Sequence, residues 1–315
     1  MNKISVVVTV KDDEEGVRRL LADLEKQTVK PDEIIVVMAG KGAYRNLKEF
    51  KGNIRVVLVE ADCSRGKGRN IGIRMVRNEL IAVTDVGCRP HEKWLEKITA
   101  GLNKGPAFRL AKGRALFVIA GWYRAVAETE WQKSFVPYLV PAGLNKGLAL
   151  KLQGQAFLPA SRSIAFTKSA WELVGGYPEE PVSGGEDLKF ADNLYKNPEV
   201  NIIFEPEALV DWPVPLTLTA FAKDIIKHTR GNFEAGYWPH IYRNLSVVAR
   251  WTVMVVWPWV IPVYLIWGIR GIGEVKVIRG IVVRAVADAA VVYGTVIGII
   301  DEWVIKKLRL RVSGG

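Results

Sequence analysis

The chain has 315 residues, 49% of them hydrophobic, and a formal net charge of +11 at pH 7. That length can bury one large core or two smaller ones, and the charge points to anionic partners: nucleotide diphosphates, lipid headgroups or nucleic acid. Two cysteines, Cys63 and Cys88, without metal-ligand spacing, exclude a disulfide scaffold.

The N-terminus runs directly into a strand pattern, without a long apolar core or small-residue cleavage site, so no signal peptide is expected. The β-branched run Ile4–Val10 predicts a first strand. Leu20, Leu21 and Leu24 then recur at helical spacing behind the acids Asp12 to Glu15, which suit a helix N-terminus. Pro31-Asp32 ends that unit. A second strand is predicted over Glu33–Met38, a short polar helix around Arg45–Lys51 and a third strand over Ile54–Val59. Strands alternating with helices at this spacing mean βαβ units and a parallel sheet.

The segment Asp62 to Gly72 follows, with Gly66, Gly68 and Gly72 interleaved with Arg65, Lys67 and Arg69. As a loop leading into a helix it could bind an anion at the helix start; it could equally be a solvated surface loop. Its glycine order matches neither a Walker loop nor a dinucleotide fingerprint. Next, Leu80–Val83 is a short apolar run of the kind buried on both faces of a parallel sheet, and it stops at Thr84-Asp85. A carboxylate at the C-terminal end of such a strand sits where open α/β sheets bind ligands, so Asp85 is placed to hold a cation or a sugar, or else to cap the next helix.

Between Trp94 and Gln155 aromatic and basic residues are frequent but no motif stands out. Ser161–Phe166 reads as a strand, and a helix starting at Thr167 ends at Gly175-Gly176-Tyr177-Pro178. Gly184-Gly185 then delivers Glu186 and Asp187 to a helix N-terminus, whose dipole favours ionised carboxylates and suits a general base or a simple cap. Ile202–Phe204 is a further strand. From Trp251 to Ile269 there is no charged residue, long enough to span a bilayer with Trp and Tyr as interfacial anchors. A second apolar stretch, Ile281–Ile300, carries Arg284 and Asp288 four apart, spaced to pair with each other. Both stretches read as membrane spans, as buried helices or as an interfacial hairpin. The basic tail Lys306, Lys307, Arg309, Arg311 suits a cytoplasmic membrane face.

No Gly-x-Ser-x-Gly elbow, zinc-helix pattern or Walker loop is present, which disfavours hydrolase, zinc-protease and ATPase chemistry. The aromatics do not interleave with the basic residues as in a nucleic-acid module, so no nucleic-acid partner is expected.

The opening strand–helix–strand, the loop ending Arg69-Asn70-Ile71-Gly72, the Thr84-Asp85-Val86-Gly87-Cys88 turn and the Gly185-Glu186-Asp187 segment together resemble the family 2 glycosyltransferases, from Met1 to about Gly236. The resemblance implies an α/β GT-A fold with a mostly parallel sheet. Residues 1–100 would form a Rossmann-like nucleotide-sugar-binding half, 101–240 an acceptor half, and 241–315 a membrane-associated helical region. It implies inverting transfer from a nucleotide-diphosphate sugar to a saccharide or lipid-linked acceptor at the cytoplasmic face of the cell membrane, with Mg²⁺ or Mn²⁺ as cofactor. Asp187 would be the base, with Glu186 an acceptor partner or the alternative base. Donor contacts would come from Thr9, Lys11, Asp12, Arg65, Lys67, Arg69, Asn70, Asp85 and Arg230, and metal ligands from Asp85 and His228. Two departures stand out. The second strand ends in Met38-Ala39-Gly40 rather than in acids, and the Asp-x-Asp motif keeps only Asp85. Alternatives are an inactive saccharide- or lipid-binding scaffold and a nucleotidyltransferase.

Overall fold

Strand β1 (Ile4–Lys11) alternates its side chains between two cores: Val6, Val8 and Val10 face one side and Val7 the other. In this computed structural model, which describes residues 3–39, 52–101, 110–111, 114–140, 158–180, 184–269 and 277–305, β1 lies inside an eight-stranded sheet. Its parallel neighbours are β2 (Glu33–Ala39), with Val6 beside Ile34, and β4 (Leu80–Val83), with Val7 beside Val83. Beyond β2 lies β3 (Arg55–Ala61), also parallel. The expected helix around Arg45–Lys51 lies outside the described residues.

Past β4 the sheet turns antiparallel. In sequence the chain adds β5 (Arg89–Pro90), a small hairpin of β6 (Leu110–Ala111) and β7 (Arg114–Ala115), then β8 (Phe117–Val126), β9 (Ile164–Thr167) and the long β10 (Asn201–Pro213). The spatial order is β3-β2-β1-β4-β9-β8-β10-β5, with the β6–β7 hairpin apart. This is a GT-A-like α/β arrangement. One face is covered by α1 (Glu14–Glu25), through Leu20, Leu21 and Leu24, and by α3 (Trp94–Gly101), through Trp94, Leu95 and Ile98. The other is covered by α2 (Arg65–Met75), α5 (Lys168–Leu173) and α6 (Glu186–Lys196), through Ile73, Trp171, Phe190 and Leu194.

The glycine-rich segment is not a loop. Ser64 caps α2 by accepting from the Lys67 amide, so Arg65, Lys67 and Arg69 all stand on the helix. Its glycines serve close approach. A Cβ on Gly72 would come within 2.6 Å of Val7 Cγ1, and one on Gly66 within 2.1 Å of the Pro178 carbonyl oxygen.

The chain divides into two compact units. The first holds the described residues of 1–124, 145–182 and 186–213. The second holds those of 125–144, 183–185 and 214–315. This division differs from the expected boundary at residue 241. The reason is a shared apolar core: Phe135 of α4 (Glu130–Leu139) and Phe221 and Ile225 of α7 (Leu218–Glu234) pack with Val283, Ala287 and Ala290 of α10 (Val277–Ile299). The Phe135 and Phe221 rings stack with centroids 4.4 Å apart.

The stretch 251–269 does not form one spanning helix. α8 (Trp238–Val256) ends before Trp257-Pro258, and α9 (Val260–Ile269) starts afresh, because Pro258 supplies no amide to continue the ladder. Among the described residues one helix, Val277–Glu302, is long and apolar enough to cross a membrane. On α10, Arg284 and Asp288 share a tyrosine rather than pairing as their spacing suggests. Tyr264 donates its hydroxyl to Asp288, and the Arg284 guanidinium lies 4.0 Å from the Tyr264 ring centre.

Candidate active site

In the first unit the C-terminal ends of β1 and β4 point the same way because the strands are parallel. Val7 pairs with Val83, so two residues further on half-buried Thr9 comes level with Asp85. Lys11 and Asp12 follow as exposed residues, and Asp12 holds φ at 56°, a left-handed conformation that costs a non-glycine residue about 1–2 kcal/mol. Such strain is a marker of functional turns. The turn after Asp85 closes through the Cys88 amide, which donates to the Asp85 carbonyl at 2.9 Å. Cys88 is fully buried beside Asp85, and burial pushes its thiol up to about 12, which removes it as a nucleophile or thiolate ligand at neutral pH.

Arg69 is the centre of the arrangement. It is 1% exposed, reaching from α2 beneath the strand ends. Its Nη2 donates to Asp85 Oδ1 and its Nη1 to Glu186 Oε1, both at 2.8 Å, while its guanidinium lies 5.2 Å from the Tyr177 ring centre. One buried fork therefore joins the strand-end acid to the first residue of α6. Burial alone would raise the Asp85 carboxyl, yet the charges of Arg69, Arg65 and Arg162 hold it below the usual carboxylate range. Its side chain remains 35% exposed, so one flank is open to solvent while the other meets Arg69.

The two adjacent acids have separate surroundings. Glu186 is buried, bonded to Arg69 and 3.7 Å from Arg65. Asp187 is half-buried and accepts from the Leu188 amide at 2.8 Å. Of the two, Glu186 is the carboxylate engaged by guanidinium groups, whereas Asp187 bonds to a backbone amide.

Asn70 is 2% exposed and uses its whole amide on the Gly176-Tyr177 turn. It donates to the Tyr177 carbonyl (2.7 Å) and Glu179 (3.1 Å), and accepts from the Trp171 indole (3.0 Å) and the Tyr177 amide (2.9 Å). With these bonds it holds that turn in place. Arg65 and Lys67 are the exposed cations of α2's first turn, on the positive end of its dipole.

His228 and Arg230 belong to the second unit. His228 lies 3.5 Å from Asp224 on its own helix, and Arg230 lies 2.8 Å from Asp301 and 3.3 Å from Glu234. The neighbouring Gly231 is required by backbone contact: a Cβ there would lie 1.2 Å from the Gly184 carbonyl oxygen. Among the described residues no three His, Cys, Asp or Glu side chains gather as a metal cage.

One residue of this region escaped the sequence reading. Arg162, half-buried before β9, rests against two aromatic rings, its guanidinium 4.2 Å from the Trp212 ring centre and 4.8 Å from that of Tyr123. Its carbonyl accepts from Thr84 Oγ1 at 2.8 Å. A lone arginine between two serines carries no motif.

Residues 5–132 match the family described as Glycosyl transferase family 2. A curated relative, glycosyltransferase AglE of Haloferax volcanii, is 22% identical over 190 residues; the match covers 58% of this chain and 58% of that protein. Among solved structures, the mannosyltransferase PcManGT from Pyrobaculum calidifontis, in complex with GDP-Man and Mn²⁺, has a TM-score of 0.57 at 14% identity, covering 95% of this chain and 88% of that one. S. aureus TarS 1-349 has a TM-score of 0.52 at 15% identity, covering 93% and 89%. At such identities these two structures establish the fold. The match over residues 5–132 and the curated relative support a family 2 glycosyltransferase.

Proposed function

We propose that the protein transfers a sugar from a nucleotide-diphosphate donor to a hydroxyl acceptor in a single inverting displacement. The observation that carries this reading is the Arg69 fork, which couples the strand-end carboxylate Asp85 to the Glu186-Asp187 pair. A displacement of this kind needs charge neutralised at the departing diphosphate and a base at the attacking hydroxyl. Arg65 and Lys67, exposed on a helix start, form a field for the diphosphate. Thr9, Lys11 and the strained Asp12 border the same strand ends. Asp187 takes the acceptor proton, and Glu186, fixed by Arg69, sets where α6 begins. No role in the chemistry is assigned to His228 or Arg230.

A divalent cation fits this set. Asp85 is an ionised, partly open carboxylate with Oδ1 turned to Arg69, and Mg²⁺ or Mn²⁺ is commonly held by one or two carboxylates together with substrate phosphates and water. When bound, the cation would neutralise charge on the leaving diphosphate. The complex of PcManGT with GDP-Man and Mn²⁺ makes GDP-mannose the first donor to try.

Membrane association is supported by the second unit. Val255, Trp259 and Ile278 are 74%, 72% and 78% exposed, and the helix Val277–Glu302 is long enough to span. A lipid-linked acceptor at the cytoplasmic face fits that apolar surface.

The test is thermal stability with UDP-, GDP- and dTDP-sugars, with and without Mn²⁺, for the wild type and Asp85→Asn, which keeps an acceptor for Arg69. One donor should stabilise the wild type by about 2.7 kcal/mol at a hundred times its dissociation constant. The metal-dependent part should vanish in Asp85→Asn. A flat response from folded protein favours the inactive scaffold, and pyrophosphate release from a nucleoside triphosphate favours a nucleotidyltransferase.

A further inference from the structure

Arg162 is held in place as a cation without a carboxylate to hold. The rings beneath it, Tyr123 of β8 and Trp212 of β10, stand at 86° with centroids 6.3 Å apart, and the guanidinium lies in the corner they make. Stacking of this kind orients the planar group and leaves its N–H edges for an acceptor in the plane. Among the described residues no side chain or carbonyl accepts from those edges. Nearby Arg124 contrasts with it, being fully engaged in a two-bond fork with Asp211 at 2.8 Å.

Its location is set by the sheet. β4 and β9 pair antiparallel with Val83 opposite Ile164, so two residues further on Asp85 falls opposite Arg162. The hydrogen bond from Thr84 to the Arg162 carbonyl continues that register beyond the strands. The carboxylates of Asp85 and Asp187 are both close enough to raise the Arg162 pKa, against the opposing effect of burial, yet neither is bonded to it. A positive fork near two acids that do not bond to it is set up for an anion brought by a ligand.

We infer that Arg162 binds a phosphate group of a substrate, its fork meeting two phosphate oxygens in its plane while Tyr123 and Trp212 hold it from below. This rests on the glycosyltransferase reading and adds a contact to it. The phosphate has two sources: the donor diphosphate, or the phosphate of a lipid-linked acceptor. Bidentate recognition is what distinguishes arginine from lysine here, since lysine brings the charge without the planar fork.

The experiment is calorimetric titration of the full chain, as wild type, Arg162→Lys and Arg162→Gln, at a temperature where all three are folded. The probes are GDP or UDP, whichever the wild type binds, the matching nucleoside, and farnesyl phosphate in detergent. Loss of a charged hydrogen-bonding pair predicts affinity for the phosphate-bearing probe about 10- to 100-fold weaker in Arg162→Gln. Arg162→Lys should fall between that and the wild type. Nucleoside affinity should be unchanged. Weakening confined to the nucleoside diphosphate assigns the donor, and weakening confined to farnesyl phosphate assigns the acceptor. Equal affinities in Arg162→Gln and the wild type overturn the inference, as does equal weakening for nucleoside and nucleotide, which marks a purely structural arginine. A wild type that binds neither phosphate probe overturns the glycosyltransferase reading as well.

Discussion

Arg69→Met is expected to destabilise the protein by about 3–5 kcal/mol, the cost of removing one partner from a buried ion pair. Arg69 and Glu186 are both buried and 2.8 Å apart, so the variant takes from the buried Glu186 carboxylate its nearest guanidinium and leaves Arg65 at 3.7 Å. Equilibrium denaturation in urea at pH 7 measures the loss. The double variant Arg69→Met, Glu186→Gln should recover part of it, because a neutral amide is cheaper to leave unpaired. Acidification supplies a second signature. In the wild type Asp85 is held below the usual carboxylate range, so its stabilising contribution is present above its unfolded pKa of about 4 and is lost as the pH falls through its lower folded pKa. Without the Arg69 charge, burial is opposed only by Arg65 and Arg162 among the named charges, so Asp85 should take up a proton more readily on acidification and relieve the variant. The deficit should therefore narrow between pH 7 and pH 4.5. A deficit that does not change with pH would assign Arg69's role to packing alone.

Asp187→Asn is expected to lower kcat about 100- to 10,000-fold, the range for loss of a positioned general base, while the donor KM moves little. The amide keeps the shape of the carboxylate and still has an oxygen to accept from the Leu188 amide, so α6 should start as before. Steady-state transfer from the donor found by thermal stabilisation gives both constants, and circular dichroism checks the fold. An unchanged kcat would move the base elsewhere. If Glu186→Gln alone abolished turnover with an unaltered melting temperature, the base would be Glu186, against its bond to Arg69.

The sheet was legible because its strands are β-branched runs with few competing readings. Ile4–Lys11, Glu33–Ala39 and Leu80–Val83 lie within one or two residues of where their side chains predict them. The placement of Asp85 just past a strand and of Glu186 and Asp187 at a helix start was legible because such ends are read locally. The start of α2 was not. Three glycines in eight positions carry a strong loop signal, whereas here their lack of side chains lets the helix sit against Val7 and the Pro178 carbonyl, a tertiary reason that no local window contains. Arg162 was missed for a similar cause: what makes it distinctive is the corner built by Tyr123 and Trp212, which come from strands far away in sequence. At the C-terminal end hydropathy left a span, buried helices or an interfacial hairpin open for 251–269, and the structure breaks that stretch into two helices at Trp257-Pro258.

Gly87 stands in the turn after Asp85, exposed and with no heavy atom within 4 Å of where a Cβ would be. Its backbone is not among the glycines with positive φ. The second acid of the family motif is therefore absent by residue choice and not because the turn forbids it. The number of carboxylates at this strand end is set by one tolerant position, and an aspartate could be installed there by a single substitution without rebuilding the fold. The turn can therefore take an added charge while the buried Arg69 fork stays as a fixed reference beneath it.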